Sequence, residues 1–149
     1  MKTSMKRLLP VVLLLPALSA FAQTAEAHWC GLPQPHPLDA AFALAIEHSG
    51  GVTADMRDAQ GEAYAGWDAE LNRLYREVMK QLDGDVRATA LRQAQRAWLA
   101  WDEAEAASDI AFAEDQGTSG PLGVADQAIA RRRARACTLY LRLDSPASP

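Results

Sequence analysis

The sequence has little of three things that would point directly to a function: cysteine, histidine and positive charge. Two Cys in 149 residues permit only one internal bridge, which excludes a disulfide-dense miniprotein. A formal net charge of −4 shows that the chain lacks the excess of basic residues that is typical of nucleic-acid-binding proteins. An apolar content of 49% argues against intrinsic disorder, so the composition indicates one modest globular domain.

A strongly apolar stretch lies at the N-terminus. Three basic residues precede the apolar residues 8–18, and Ala20 and Ala22 then supply the small side chains that signal peptidase requires. The stretch is shorter than the ~20 apolar residues needed to span a bilayer, and it contains two prolines. We therefore predict a signal peptide over residues 1–22, export to the periplasm or beyond, and no stable membrane anchor after cleavage. A second possible cleavage site follows Ala27.

Loss of the leader makes the chain more acidic. Residues 1–22 contain three cations and no anion, which leaves 12 Lys and Arg against 19 Asp and Glu, a net charge of −7. An acidic surface speeds encounters with cationic partners and slows encounters with anionic ones. A charge of this size also suits ordinary solubility, and composition alone does not choose between the two explanations.

The two cysteines lie near opposite ends of the mature chain. In an oxidising compartment, Cys30 and Cys137 are expected to form a disulfide that closes most of the chain into one loop. His28 and His36 flank Cys30 in a segment rich in Pro and Gly, and no second cluster of ligands matches them. We therefore predict the bridge, and neither a metal nor another cofactor.

Helical periodicity runs through the mature sequence, and no alternating strand pattern of useful length occurs. Thr53 is a predicted N-cap, and Asp85 is a second one after an acidic turn at Gly84. The pattern predicts a short helix over residues 38–48 and a long helix over 54–82. A second long helix begins at about residue 86, a Gly-rich loop follows over 117–123, and a last helix covers 124–142. This order indicates an all-α fold: a long antiparallel helical hairpin with a short N-terminal helix and a C-terminal helix packed across it.

Two apolar stripes define the faces that are expected to meet in the hairpin. The stripe on the first long helix consists of Tyr64, Trp67, Leu71, Leu74, Val78 and Leu82. The stripe on the second consists of Leu91, Ala94, Trp98, Trp101, Ser108 and Phe112. The predicted organisation is a signal peptide over 1–22, a Pro/Gly-rich segment with a short helix over 23–52, a helical domain over 53–143 and a disordered tail over 144–149.

Two local motifs lie on the long helices about twenty residues apart. Residues 68–75 follow the pattern D-x-E-L-N-x-x-Y, and residues 91–98 follow L-R-x-A-Q-R-A-W. Together they resemble the LprI-like lysozyme-inhibitor family, a group of small exported bacterial domains, over roughly residues 53–142. The residues that carry the resemblance are Asp68, Leu71, Asn72, Tyr75, Gln95, Arg96 and Trp98.

We expect a structural role for these motif residues. Asn72 and Gln95 flank the apolar stripes, where their amides are placed to form hydrogen bonds across the hairpin. Arg96 is expected to pair with Asp68 or Glu70. Polar contacts of this kind would fix the register between the two long helices.

This chain departs from the family's pattern at two places. Family members usually carry a cysteine at the position of Ala59 with a partner upstream, and a bridge between Cys30 and Cys137 would replace that one. The family's Arg-Asp pair after the second aromatic residue corresponds here to Asp102 and Glu103. An acid therefore stands where relatives have a cation, and both acids are candidates for contact with a partner.

Four arginines crowd the last predicted helix: Arg131, Arg132, Arg133 and Arg135. One interpretation is that they pair with the acids of the hairpin. The other is an anion site for lipopolysaccharide, peptidoglycan phosphates or anionic lipid. Both interpretations are open at this point.

The resemblance implies a protein that binds lysozyme and is not itself an enzyme. The sequence offers no nucleophile beside a base and no pair of carboxylates for catalysis, so we predict no catalytic residues. We expect the acidic hairpin to attract a cationic lysozyme, and the loop 117–123 to reach its cleft through Thr118 or Ser119. The alternative is a non-enzymatic adaptor or structural module that binds another envelope partner. No oligomeric state is predicted.

Overall fold

A computed structural model describes residues 28–84 and 86–144. The predicted signal peptide, the predicted cap Asp85 and tail residues 145–149 lie outside the described residues. A single 3₁₀ turn at Trp29–Gly31 precedes four α-helices: α1 (Pro37–His48), α2 (Thr53–Gln81), α3 (Val86–Ala113) and α4 (Ser119–Asp144). The described residues contain helices and turns without strands, which confirms the predicted all-α class.

The first two helices begin and end close to the predicted positions. Pro37 starts α1, and the Nδ1 atom of His36 accepts a hydrogen bond from the amide of Leu38. Gly50 and Gly51 then end the helix with φ of 55° and 84°, a conformation that glycine adopts without steric cost. Thr53 is the first residue of α2 rather than its cap.

The predicted loop over 117–123 is wrong, because α4 already begins at Ser119. The connection from α3 is a short turn over residues 114–118, in which Gly117 has a φ of 58°. Pro121 lies in the first turn of α4, where a backbone N–H has no partner within the helix. Proline is therefore compatible with a helix at this position, although the Gly-Pro-Gly composition is typical of loops.

The longest interface of the fold lies between α2 and α4. α3 packs against the same helix α4, while α1 covers another part of α2. The core consists mainly of buried side chains from α2 and α4: Trp67, Leu71, Leu74, Val78, Ile129, Ala136 and Leu139. Direct packing of α2 on α3 along a hairpin is not confirmed, since both long helices make their main contacts with α4.

The observed burial agrees better with the predicted stripe on α2 than with the predicted stripe on α3. On α2 the stripe forms the core from Trp67, which is 1% exposed, to Val78, whereas Tyr64 at its start is 36% exposed. On α3 the stripe is wrong in its second half, because Trp101 is 48% exposed and Phe112 is 80% exposed. Asp102 is buried in place of Trp101, since α4 presents arginine side chains to this part of α3. The buried face of α3 is therefore rotated by about one residue from the predicted face.

The predicted disulfide between Cys30 and Cys137 is present and joins the 3₁₀ turn to α4. The neighbouring Trp29 is 3% exposed, and its indole Nε1 donates a 2.9 Å hydrogen bond to the carbonyl of Arg133. The Trp29 ring lies 5.4 Å from the ring of Trp67, measured between centroids. The N-terminal segment is thus held against the core by a covalent bond, a hydrogen bond and aromatic packing.

Two glycines of α4 provide a matched test of the turn between α3 and α4. A Cβ atom at Gly120 would lie 2.5 Å from the carbonyl oxygen of Ala113, whereas a Cβ at Gly123 would meet nothing within 4 Å. We expect Gly120→Ala to lower the free energy of unfolding by about 1–3 kcal/mol through overpacking. Gly123→Ala is expected to raise it by about 0.5–1 kcal/mol through helix propensity. Urea denaturation measures both, and equal effects would contradict the close approach.

Candidate functional site

A cluster of ion pairs connects α2, α3 and α4. Asp102 is 7% exposed, and its two carboxylate oxygens accept hydrogen bonds from Arg131 at 2.8 Å and from Arg132 at 2.9 Å. Arg131 also donates to Asp109, and Arg132 donates to Asp68 at 3.2 Å. We call these five residues the ion cluster. It joins three helices through side chains whose positions in the sequence are far apart.

The surroundings of Arg131 favour its charged form. Burial alone would lower the pKa of Arg131, but hydrogen bonds to Asp109 and Asp102 outweigh burial and raise it. The guanidinium carbon of Arg132 lies 4.1 Å from the centre of the Tyr64 ring, within the range of a cation–π contact. Tyr64, an exposed edge of the α2 stripe, therefore covers the cluster on its α2 side.

The other two arginines of the run also contact the chain itself. Arg133 donates to both oxygens of Asp39 in α1, with a shortest distance of 2.7 Å. Arg135 donates to the side-chain oxygen of Gln95 at 3.0 Å. Burial, followed by the positive charge of Arg142, lowers the pKa of Arg135. An anion at the predicted site would have to compete with these partners, and the anion site stays a prediction.

The motif residues contact partners other than those predicted. Asn72 donates to Asp68 within α2 at 3.0 Å, and does not reach across the hairpin. Arg96 is exposed, while its predicted partners Asp68 and Glu70 pair with Arg132 and Arg73 instead. The hydrogen bond from Arg73 holds the pKa of Glu70 below its usual value.

Three further motif residues lie at the helix interfaces. Leu71 is buried in the core, and Tyr75 is half-buried against it. Trp98 is also half-buried, and its ring centre lies 5.9 Å from the guanidinium carbons of both Arg132 and Arg135. The α3 motif thus meets α4 through Gln95 and Trp98, which the sequence pattern could not indicate because α4 is distant along the chain.

The four predicted contact residues are not brought together as one surface. Asp102 lies inside the ion cluster and is not accessible to a partner in this structure. Glu103, next to it on α3, is exposed. Thr118 and Ser119 are exposed at the turn between α3 and α4, where the Ser119 hydroxyl donates to the carbonyl of Gln116 at 2.8 Å.

One end of the molecule combines exposed acids with exposed apolar side chains. The side-chain amide of Gln60 donates to the carbonyl of Leu122 at 2.9 Å and to Asp126 at 2.7 Å, which places the start of α2 beside the start of α4. The turn that ends α3 lies at the same end. We call this region the acidic end; its exposed acids are Asp55, Asp58, Glu62, Glu114 and Asp115.

Two apolar side chains of α3 extend the acidic end. Phe112 is 80% exposed and Ile110 is 56% exposed, close to the turn. The sequence pattern assigned Phe112 to the core, so this surface was missed. An exposed aromatic side chain at an end of the molecule that also carries exposed acids combines the apolar and polar residues that protein–protein contacts use.

Two further properties concern the described residues alone. In residues 28–84 and 86–144, no group of three or more His, Cys, Asp and Glu side chains is placed to hold a metal ion. None of the helices in these ranges combines the length and the hydropathy that crossing a membrane would require.

Comparison with known proteins gives one match. The sequence model of the family described as lysozyme inhibitor LprI matches residues 46–139. The matched range contains α2, α3 and most of α4, and therefore the ion cluster and the acidic end. Neither the curated proteins nor the solved structures give a significant match to the chain.

Proposed function

The chain belongs to the lysozyme inhibitor LprI family, and on this premise we propose that it is an exported acidic protein that inhibits a lysozyme by binding it. Members of this family are inhibitors rather than enzymes, which supports action by binding without catalysis. The disulfide fits an oxidising compartment and supports a place in the periplasm or outside the cell.

The observation that carries the proposal is the acidic end, where Phe112 is 80% exposed in the last turn of α3 and the exposed acids Glu114 and Asp115 follow it. Carboxylates on the surface attract a cationic enzyme over a distance and raise the rate of encounter. An exposed aromatic ring then supplies the apolar contact that holds the complex together. We therefore assign the lysozyme contact to the acidic end.

The proposed mode of inhibition differs from the one that the sequence suggested. The predicted loop over 117–123 is replaced by a short turn between two helix ends, with Thr118 at its surface. A short turn between two helices loses less conformational entropy on binding than a longer loop does. We propose that this turn and Phe112 block the cleft in which lysozyme uses its carboxylates on the polysaccharide.

The first test is truncation of the exposed ring. We expect Phe112→Ala to weaken inhibition of lysozyme on the order of tenfold to thirtyfold, because an aromatic centre of a contact is lost. Val86→Ala is the matched control, since Val86 is 83% exposed at the opposite end of the same helix. Residual lytic activity of c-type and g-type lysozymes measures both variants against the mature protein.

The same assay separates inhibition from an adaptor role. Inhibition by the mature protein should weaken as ionic strength rises, because salt screens attraction between exposed charges. Glu114→Gln combined with Asp115→Asn should weaken this salt dependence, whereas Asp83→Asn at the other end of α2 should not. Absence of inhibition of both lysozyme classes at low salt, with folded protein, would refute the proposed function.

A further inference from the structure

A cavity of about 660 Å³ lies beside the turn between α2 and α3, at the opposite end of the molecule from the acidic end. Its walls come from three helices, with Val78 from α2, Leu82 directly after α2, Leu91 from α3 and Leu141 from α4. A volume of this size lies within the range of about 300–1,000 Å³ that is usual for small-molecule sites.

The cavity is open to solvent on the side of α3 and α4. Leu141 is 50% exposed, and the lining residues Ala90 and Ala94 of α3 are also exposed. The short alanine side chains leave room between α3 and the end of α4, because nothing larger projects from these two positions. A ligand therefore has access to the apolar walls without unfolding of a helix.

Two cations line the same cavity. Arg87 comes from the first turn of α3, and Arg142 comes from the last turn of α4. The positive charge of Arg142 also acts on Arg135 two turns earlier, where it helps to lower the pKa of that guanidinium. The charged side chains that line the cavity are therefore both cations, although the chain carries a net negative charge.

We propose that the cavity binds a single-chain anionic lipid, with the acyl chain between α2, α3 and α4 and the headgroup near Arg87 and Arg142. Burial of the chain against Val78, Leu82 and Leu91 removes apolar surface from water on both sides. A negative headgroup complements the guanidinium group of Arg142 and offsets the repulsion between Arg142 and Arg135. Carboxylate and phosphate headgroups share the required charge.

This site is distinct from the arginine run at residues 131–135, whose side chains are engaged in the helix interfaces. It is also remote from Phe112 and the acidic end, so binding of lipid and inhibition of lysozyme are separable. Phe112→Ala should therefore leave lipid binding unchanged.

Isothermal titration of the mature, disulfide-bonded protein tests the proposal. The probes are dodecanoate, dodecyl phosphate and dodecyltrimethylammonium, each below its micellar concentration. We expect at least one of the two anions to bind saturably, with one molecule per protein. Comparison of dodecanoate with dodecyl phosphate then shows whether a carboxylate or a phosphate headgroup is preferred. Decanoate should bind about fourfold more weakly per methylene removed. Equal binding of the cationic amphiphile, or no saturable binding of either anion, would overturn the proposal.

Variants locate the binding to the cavity. Ala94→Phe is expected to weaken binding of the anion at least tenfold, because the new ring occupies the opening. Ala100→Phe is the control, since Ala100 is exposed on the same helix and does not line the cavity. Ala90→Phe replaces Ala94→Phe if that variant does not fold. Retained affinity in a folded cavity variant would rule this site out.

The charge of the rim is tested separately. Arg142→Gln is expected to weaken binding of the anion about fivefold to tenfold, because one of two opposite charges near the headgroup is lost. Arg96→Gln is the control, since Arg96 is exposed on α3 and does not line the cavity. Equal affinities of the two variants would contradict a headgroup at Arg142.

Discussion

Removal of the bridge between Cys30 and Cys137 is expected to lower the free energy of unfolding by about 4–5 kcal/mol. The two cysteines are separated by 107 residues, so the bridge closes most of the 149-residue chain into one loop. A cross-link of this span reduces the number of conformations of the unfolded chain far more than a short one. Urea denaturation of the mature protein and of the Cys30→Ser/Cys137→Ser variant measures the difference.

Reduction of the unchanged protein provides the control. A thiol reductant should destabilise the mature protein by about as much as the double substitution does, and should leave the double variant unaffected. A loss below about 1 kcal/mol would contradict the loop-closure argument. It would mean that contacts of Trp29 with Trp67 and Arg133 hold the N-terminal segment without the bridge.

The part of the fold that follows from apolar periodicity was predictable. Trp67, Leu71, Leu74 and Val78 recur at helical spacing, and all four are buried on one face of α2. The bridge was also predictable, because a chain with two cysteines has only one internal pairing. Both predictions depend on residue types whose preferred environment hardly changes with context.

The buried face of α3 was not predictable from the same pattern. Periodicity treats Asp102 as a surface residue and Trp101 as a core residue, and the structure reverses them. Burial of Asp102 depends on Arg131 and Arg132, which lie 29 and 30 residues away in the sequence. A pattern on a single helix contains no information about the charges that another helix will bring to it.

The acidic end depends on tertiary structure in a similar way. Asp55 and Glu114 are far apart along the chain, and they come to one end of the molecule because the start of α2 and the end of α3 both lie beside the start of α4. Phe112 also belongs to this surface, although its spacing from Trp98 matches a helical stripe. The stripe fails there because the face of α3 that meets the arginines of α4 carries Asp102 and Asp109, whereas Phe112 is 80% exposed.

The ion cluster leads to the second large prediction, which concerns Asp102→Ala. We expect this substitution to lower the free energy of unfolding by about 3–5 kcal/mol, because it removes one partner from a buried network. Arg131, whose side chain is 9% exposed, would be left with Asp109 alone. Arg132 would be left with Asp68, whose side chain is 45% exposed and forms the longer contact of 3.2 Å.

Glu103→Ala is the matched control, since Glu103 follows Asp102 on α3 and is exposed. Its effect on the free energy of unfolding should stay within about 0.5 kcal/mol. Denaturation in urea compares the two variants at one pH. Similar losses of stability in the two variants would contradict a buried cluster at Asp102. A loss confined to Asp102→Ala would explain why an acid occupies this position, because two arginines of α4 donate hydrogen bonds to it.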